Sequence, residues 1–267
     1  MKKIKLFCIT NKPSFNLEQL NLDLVGVGKN RFSNKYTECI LGKNIQHKEQ
    51  HYSELTFHYW FWKNKLRDYN NDDWLGFCHK RRFWIKEKKK DIINLEDLKS
   101  NLLTEAPKEW ENIDSILCNP INVGNIKTMK LIKRGWRSII KDPAIIFNKD
   151  KHSIKLHFDI HHGFGNLDKA IQIMDKIDRD DFRNFLNDRN MFNPHIMFIT
   201  KPEIMAKWFN ASFSWLFECE KVIGFKNLKG YDSTRLYAYL AERYLSFWFK
   251  KYTNSLDWHW TFYDFKD

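Results

Sequence analysis

Apolar residues fall along the chain in short, regular runs that alternate with polar turns. "KIKLFCIT" (3–10), closed by Asn11-Lys12-Pro13, predicts a first strand. Residues 14–50 have weak periodicity and much polarity and read mostly as loop. In "YSELTFHYWFWKNKL" (52–66), Leu55, Tyr59 and Trp62 recur at helical spacing behind Ser53, which predicts a buried helix with Ser53 as its cap. "WLGFCH" (74–79) predicts a strand, "NLEDLKSNLL" (94–103) a short amphipathic helix, and "IDSILC" (113–118) another strand. This order predicts an α/β architecture with parallel pairing in the first 120 residues.

The remainder is more helical. In "KLHFDIHHGFG" (155–165), Lys155, His157, Asp159 and His161 alternate with Leu156, Phe158 and Ile160, the period of a strand with one wet face. "NLDKAIQIMDKI" (166–177) predicts a helix capped by Asn166, and "HIMFI" (195–199) a short strand. Thr200 and Glu203 have the spacing of a capping box before a helix ending near Phe225. A second long helix is predicted over 233–251, with Leu236, Leu240 and Tyr244 on one stripe, followed by the aromatic, amphipathic tail "YTNSLDWHWTFYDFKD". No repeat, low-complexity stretch or linker forces a cut, so one domain over 1–267 is expected, with an α/β half (1–120) and a helical half (121–267).

Composition narrows the class. The 267 residues are 43% hydrophobic and 16% aromatic with only 10 Gly and 6 Pro, enough for a substantial core. Lys+Arg 45 against Asp+Glu 33 leaves +12, which favours nucleotide phosphates, polyanions or an anionic membrane without choosing among them. Five scattered cysteines without a C-x-x-C pair argue against a disulfide scaffold or structural zinc and for a reducing compartment. Lys5 interrupts the opening apolar run, and no window reaches 18 apolar residues, so a cytoplasmic chain with at most peripheral membrane contact is expected.

The strongest chemical signal is "WLGFCHKRRFW" (74–84), where an apolar strand breaks into His79-Lys80-Arg81-Arg82. Parallel sheets bind ligands at the carboxyl ends of their strands, and arginine forks match phosphate oxygens bidentately. The plain alternative is a solvated basic loop running into "KEKKK" (86–90). As a strand face, His157, Asp159 and His161 would stand roughly 6.6–6.8 Å apart, suited to a metal or to a general base, or would be incidental on a wet face. No G-x-G-x-x-G, P-loop or G-x-S-x-G motif occurs. The acidic clusters at 71–73 and 178–181 read as caps or turns.

Taken together, "YSELTFHYWFWKN" (52–64) and "WLGFCHKRRFW" resemble a bacterial family with Y-x-E-L-T-x-x-Y-W-x-W-K-N and then L-C-H-Y-R-R-Y-F. Its members are uncharacterised-domain proteins of capsule and lipopolysaccharide loci, regarded as glycosyltransferases. "DSILCNP", "HHGFGNLDKAIQIM", "HIMFITKPEIMAKWFNASFSWLFECEK" and "YLAERYLSFWF" continue the resemblance in order over nearly the whole chain. Lys80 departs from the family's Tyr, Phe83-Trp84 from Tyr-Phe, and Ile196 from the Asn of H-N-M-F; residues 119–150 match poorly, and acceptor specificity is expected there.

The resemblance implies an A-type glycosyltransferase-like, Rossmann-like α/β domain with a helical C-terminal part. It would move a sugar from a nucleotide-sugar donor, a UDP-sugar in expectation, to a growing capsular or lipopolysaccharide glycan or a lipid-linked oligosaccharide. Residues 1–120 would bind the donor and 121–267 the acceptor. His79, Arg81 and Arg82 would hold the diphosphate in place of a divalent metal or alongside one; no metal ligand is assigned. Glu54, Lys63 and Asn64 would line the donor pocket, or Glu54 would anchor Arg81. Asp159, His161 or Glu242 would take the acceptor's proton, with His162, His195 and Arg243 on the acceptor. Lys86–Lys90 or the tail would meet an anionic membrane, and nucleic acid is not an expected partner. Competing readings are a basic nucleic-acid-binding protein and a metal-dependent phosphoesterase built on His157, Asp159 and His161.

Overall fold

The computed structural model describes residues 2–88 and 92–265. Its strands are β1 (Ile4–Thr10), β2 (Asp23–Gly26), β3 (Thr37–Glu38), β4 (Trp74–His79), β5 (Arg82–Trp84), β6 (Ser115–Cys118), β7 (Ile121–Asn122), β8 (Met191–Phe192), β9 (Phe198–Thr200), β10 (Ser255–Trp258) and β11 (Trp260–Phe262). Its helices are α1 (Glu49–Tyr52), α2 (Leu55–Asn64), α3 (Leu95–Asn101), α4 (Thr128–Arg134), α5 (Trp136–Lys141), α6 (Ile154–His162), α7 (Asn166–Ile173), α8 (Lys176–Asp188), α9 (Pro202–Ile223), α10 (Tyr231–Thr234) and α11 (Leu236–Tyr252). They form two compact units: Met1–Asn119 with His195–Asn210 and Phe249–Asp267, and Pro120–Pro194 with Ala211–Trp248.

The first unit is built on a mixed sheet of order β10-β6-β9-β4-β1-β2-β3, with β5 and β11 extending from β4. β1 pairs in parallel with β2 and β4, β2 with β3, and β6 with β10; β9 runs antiparallel between β4 and β6, and β5 antiparallel to both β4 and β11. β1, β2, β3, β4, β6 and β10 therefore all end on one edge. All six residues of β4 are buried, as expected of a strand covered on both faces. On one face Phe7 and Phe77 pack with Phe57 and Phe61 of α2 and with Phe198 and Phe209, with Phe7–Phe61 and Phe77–Phe198 centroids at 4.8 and 5.1 Å. On the other, Leu6, Cys8, Trp74 and Cys78 join Trp84, Leu98, Trp110 and Ile199. β9 approaches β4 so closely that a Cβ on Gly76 would lie 2.5 Å from Ile199 Cγ1 and 2.9 Å from Leu6 Cδ2.

Several expectations are corrected here. β2 and β3 lie within the predicted loop over 14–50; they are too short to show a period. Ser53 does not cap α2: it sits at φ 52°, and Glu54 is the residue before the helix. Thr200 and Glu203 make no capping box, because the Thr200 hydroxyl donates to the Asp114 carbonyl and Glu203 pairs with Lys207. The aromatic tail forms β10 and β11 and packs Trp258, Trp260, Tyr263 and Phe265 against the core. Lys86 donates to the Ser100 carbonyl, and Lys89 and Lys90 lie outside the described residues.

The second unit is mostly helical, with α4 to α8, α10, parts of α9 and α11, and the β7–β8 ladder. Residues 155–162 are helix α6, not a strand, with the Ser153 hydroxyl accepting from the Leu156 amide. Alternation over so few residues coincides with an i, i+4 pattern: Lys155 with Asp159, Leu156 with Ile160, His157 with His161. The helix expected over 166–177 breaks at Met174 into α7 and α8, and Gly165 rather than Asn166 stands at its cap. Among the described residues, no helix is long and apolar enough to cross a membrane, and the five cysteines are buried free thiols.

His58 of α2 is wholly buried among Phe77, Phe198 and Phe209, and neither ring nitrogen has a hydrogen-bond partner among the described residues. Burial, helped by nearby His79 and opposed by Glu54, pushes its pKa down to about 3. The unfolded chain protonates His58 near 6.5 while the fold keeps it neutral, so stability is intact above that pH and falls below it, by about 1.4 kcal/mol per pH unit for this one proton. Urea unfolding of wild type and His58→Phe at several pH values from neutral to mildly acidic is expected to show the acid slope reduced by one proton in the variant.

Candidate functional site

Two clusters of polar side chains stand out, one in each unit. The first lies at the carboxyl edge of the sheet, where β4 ends in His79. The His79 Nε2–H donates to the His195 carbonyl at 2.5 Å, and Nδ1 lies 3.5 Å from Glu54 Oε1. Glu54 also accepts from the Ser53 hydroxyl, so the turn at Ser53 delivers the start of α2 to the end of β4. His195 and Ile196 both have positive φ, 73° and 54°, and the His195 ring sits edge-on to Trp260 at 4.8 Å.

Lys80 and Arg81 form the turn from β4 to β5. The Lys80 amide donates to the Ile9 carbonyl and its Nζ to Asn11 Oδ1, both at 3.3 Å, tying the turn to the end of β1. Arg81 is partly exposed and lies 3.3 Å from Asp264, so its carboxylate partner is Asp264 and not Glu54. Arg82 stands opposite Phe262 in the β5–β11 ladder, and both guanidinium carbons are near that ring, at 5.7 and 5.8 Å. The same edge holds residues that the sequence reading missed. Asn119 Nδ2 donates to His259 Nδ1 at 3.1 Å, and Trp260 Nε1 donates to the Asn119 carbonyl at 3.2 Å. Their one signal was the density of polar and aromatic residues in "DWHW" and after "DSILC".

Lys63 and Asn64 are not brought to this cluster. They end α2, about 13 Å along the helix from Glu54. Lys63 lies over the Trp62 ring, and Asn64 bonds both the amide and the carbonyl of Lys43 beside the Gly42 turn. The end of β4 carries one imidazole and three cations, and its two nearby carboxylates, Glu54 and Asp264, are each set against one of these groups, an arrangement that does not fit a divalent metal. Among the described residues, no group of three or more His, Cys, Asp or Glu side chains could hold one.

The second cluster is in the helical unit. α6 presents Asp159, His161 and His162, but not as a row converging with His157 on a metal. Asp159 bonds Lys155 at 2.7 Å and accepts the Gly165 amide at 3.2 Å; burial raises its pKa although Lys155 opposes this. His161 Nδ1–H donates to the His157 carbonyl, leaving Nε2 to accept from Lys130. His162 Nδ1–H donates to the Asp232 carbonyl, and its ring stacks on Tyr239 at 3.7 Å. Burial, reinforced by Arg243, pushes His157 and His162 down to about 2, and burial also lowers His161. Asp159 and His161 border a cavity of about 560 Å³, whose other walls include Arg134, Trp136, Arg137 and Tyr231.

Glu242 and Arg243 are neighbours on α11 and pair with each other. Arg243 is buried, donates to His157 Nδ1 at 3.3 Å, and lies 4.0 Å over the Phe192 ring. Neither residue lines the cavity.

The fold is therefore a mixed α/β sheet of the A-type glycosyltransferase-like class with a helical C-terminal part. A family model described as "Domain of unknown function (DUF4422)" matches residues 5–254, and the chain belongs to that family. Among solved structures, it is similar to the ligand-free bifunctional glycosyltransferase WbbM, with TM-score 0.72 and 22% identity over 99% of this chain. The chain spans 46% of that protein. Comparison with curated proteins finds no match.

Removing one partner of a buried ion pair strands the other charge, at a cost of about 3–5 kcal/mol. Glu242→Gln is accordingly expected to lower the thermal midpoint by several degrees, because Arg243 loses its carboxylate. Calorimetry of the variant checks this.

Proposed function

We propose that the chain is a nucleotide-sugar-dependent glycosyltransferase whose donor diphosphate binds at the carboxyl edge of the sheet. The observation that carries the reading is the β4–β5 turn, where Arg81 and Arg82 gather around Phe262 next to His79 and Lys80. Such an edge is where open α/β sheets take ligands, and the likeness to the bifunctional glycosyltransferase WbbM supports the same class.

Loss of a nucleoside diphosphate from a sugar leaves positive charge at the anomeric carbon and negative charge on the leaving phosphates. Two guanidinium groups meet the second need without a metal, since fixed cations aimed at developing charge stabilise it. His79, held by the His195 carbonyl and Glu54, fixes the end of β4 from which the two arginines project, and acts on the donor by positioning them. Asn119, His259 and Trp260 supply polar and aromatic surface for the nucleoside or sugar.

The cavity of the helical unit is assigned to the acceptor glycan. Exposed Trp136 and Tyr231 offer faces for pyranose rings, and Arg134 and Arg137 offer donors. Asp159 and His161, which border it, are assigned to take a proton from a sugar hydroxyl, Asp159 in exchange for its bond to Lys155 or His161 Nε2 in exchange for its bond to Lys130. A capsular or lipopolysaccharide glycan, free or lipid-linked, is the acceptor class this reading expects, and a UDP-sugar the donor.

UDP or a UDP-sugar is expected to raise the melting temperature, and chelation is expected to leave that shift in place. Each charge-assisted contact contributes about 1.5–3 kcal/mol, so Arg81→Ala is expected to weaken the nucleotide by about tenfold to a hundredfold, with the apo melting point nearly unchanged. Titration calorimetry with uridine and guanosine diphosphates checks both; no binding of any nucleoside diphosphate, or undiminished binding by the variant, overturns the assignment.

A further inference from the structure

From Lys127 to Lys141 the chain carries Lys127, Lys130, Lys133, Arg134, Arg137 and Lys141, and no Asp or Glu. The segment folds as α4 and α5. Leu131 and Ile139 turn inward and pack with Ile126, Ile145, Leu156 and Ile160. The excursion is closed at its base by buried His152, whose ring nitrogens face the Gly124 and Ile145 carbonyls at 2.7 and 2.9 Å.

That packing satisfies one side of the two helices only. Met129 and Ile132, i and i+3 on α4, and Trp136 and Ile140, i and i+4 on α5, face solvent, followed by Phe147; their exposures run from 49% to 87%. A helix that packs one apolar stripe and displays another has a second surface to cover. Arg134 is already paired with Asp232 at 2.8 Å and Lys130 bonds His161, whereas among the described residues Lys127 and Lys133 make no ion pair and Arg137 meets the Trp136 and Phe164 rings.

We infer that α4 and α5 dock the chain on the surface of an anionic bilayer. Met129, Ile132, Trp136, Ile140 and Phe147 enter the boundary between headgroups and acyl chains, and the flanking lysines and arginines sit among anionic headgroups. Both halves of the observation are needed. A second copy of the same patch would oppose the outward cations Lys127, Lys133, Arg137 and Lys141 with the same cations again. Nucleic acid would satisfy the cations but leaves Met129, Ile132 and Ile140 without a partner, since aliphatic side chains do not stack on bases as aromatic rings do. The inference goes beyond sugar transfer and does not depend on it. If both hold, Arg134, Trp136 and Arg137, which belong to this face and to the cavity wall, place the cavity at the lipid surface.

The test is flotation of the full chain with vesicles of phosphatidylcholine alone and of phosphatidylcholine mixed with phosphatidylglycerol. Binding is expected to the mixed vesicles only, and to weaken as salt rises. Ile132→Ser with Ile140→Ser, and separately Lys127→Glu with Lys133→Glu, are each expected to reduce it by at least about tenfold without lowering the melting temperature, because all four side chains are solvent-exposed. Equal binding to both vesicle types, no binding to either, undiminished binding by both variants, or tighter retention by RNA than by anionic vesicles at the same salt would overturn it. Nucleotide binding, measured separately on the same variants, is expected to be unchanged.

Discussion

The structure of the first unit depends on the burial of β4. With a phenylalanine layer on one face and a tryptophan and aliphatic layer on the other, none of its six residues meets bulk solvent. A charged side chain inside that strand would be desolvated without a partner, which is far more costly than any local contact returns. The charges of this segment are therefore confined to its end, and the chain must turn there. Parallel pairing to β1 then fixes where that end lies, because the strands of such a ladder finish on a common edge. The concentration of His79, Lys80, Arg81 and Arg82 at one place is thus as much a consequence of the core as of any ligand. What the proposed diphosphate site would add is the choice of arginine over neutral turn residues.

The same reasoning explains what was legible in the sequence. β1, β4 and β6 announce themselves because strands buried on both faces read as unbroken apolar runs, and α9 and α11 because long helices repeat their stripe several times. β2, β3 and β11 have between two and four residues, too few for any period, and are held by neighbours that the local sequence does not show, whereas the apolar "HIMFI" does announce β9. α6 was misread because the polar residues of 155–161 satisfy both templates; only Ser153, one turn upstream, breaks the tie by capping. Of the candidate site, the cationic turn was legible and its counterparts were not. Glu54 reaches His79, and Asp264 reaches Arg81, across 25 and 183 positions, pairings that only the fold specifies.

The helical unit shows why a row of histidines is a poor guide to metal chemistry. His157, His161 and His162 are held neutral by burial and by nearby Arg243, with Nδ1 of His157 facing Arg243, both nitrogens of His161 committed to the His157 carbonyl and Lys130, and Nδ1 of His162 to the Asp232 carbonyl. Such rings satisfy the polar groups of neighbouring elements. Arg243 is the hub of that network, and its charge is balanced by Glu242 on the same helix. The sequence motif "AER" thus marks an internal ion pair first, and any contribution to acceptor binding acts through it.

Ile196 turns the family comparison into a physical statement. At φ 54° a β-branched residue stands where the backbone is crowded, and asparagine adopts that conformation far more readily. The side chain is also buried, at 4% exposure, so the position does not present itself to a ligand. In this chain the position serves the turn that enters β9 and the core beneath it. Isoleucine in place of asparagine exchanges backbone ease for core volume and leaves the neighbouring His195 carbonyl where His79 needs it. Under the proposed reading, substrate selectivity is then a matter for side chains that face solvent, such as those lining the cavity between α5 and α10.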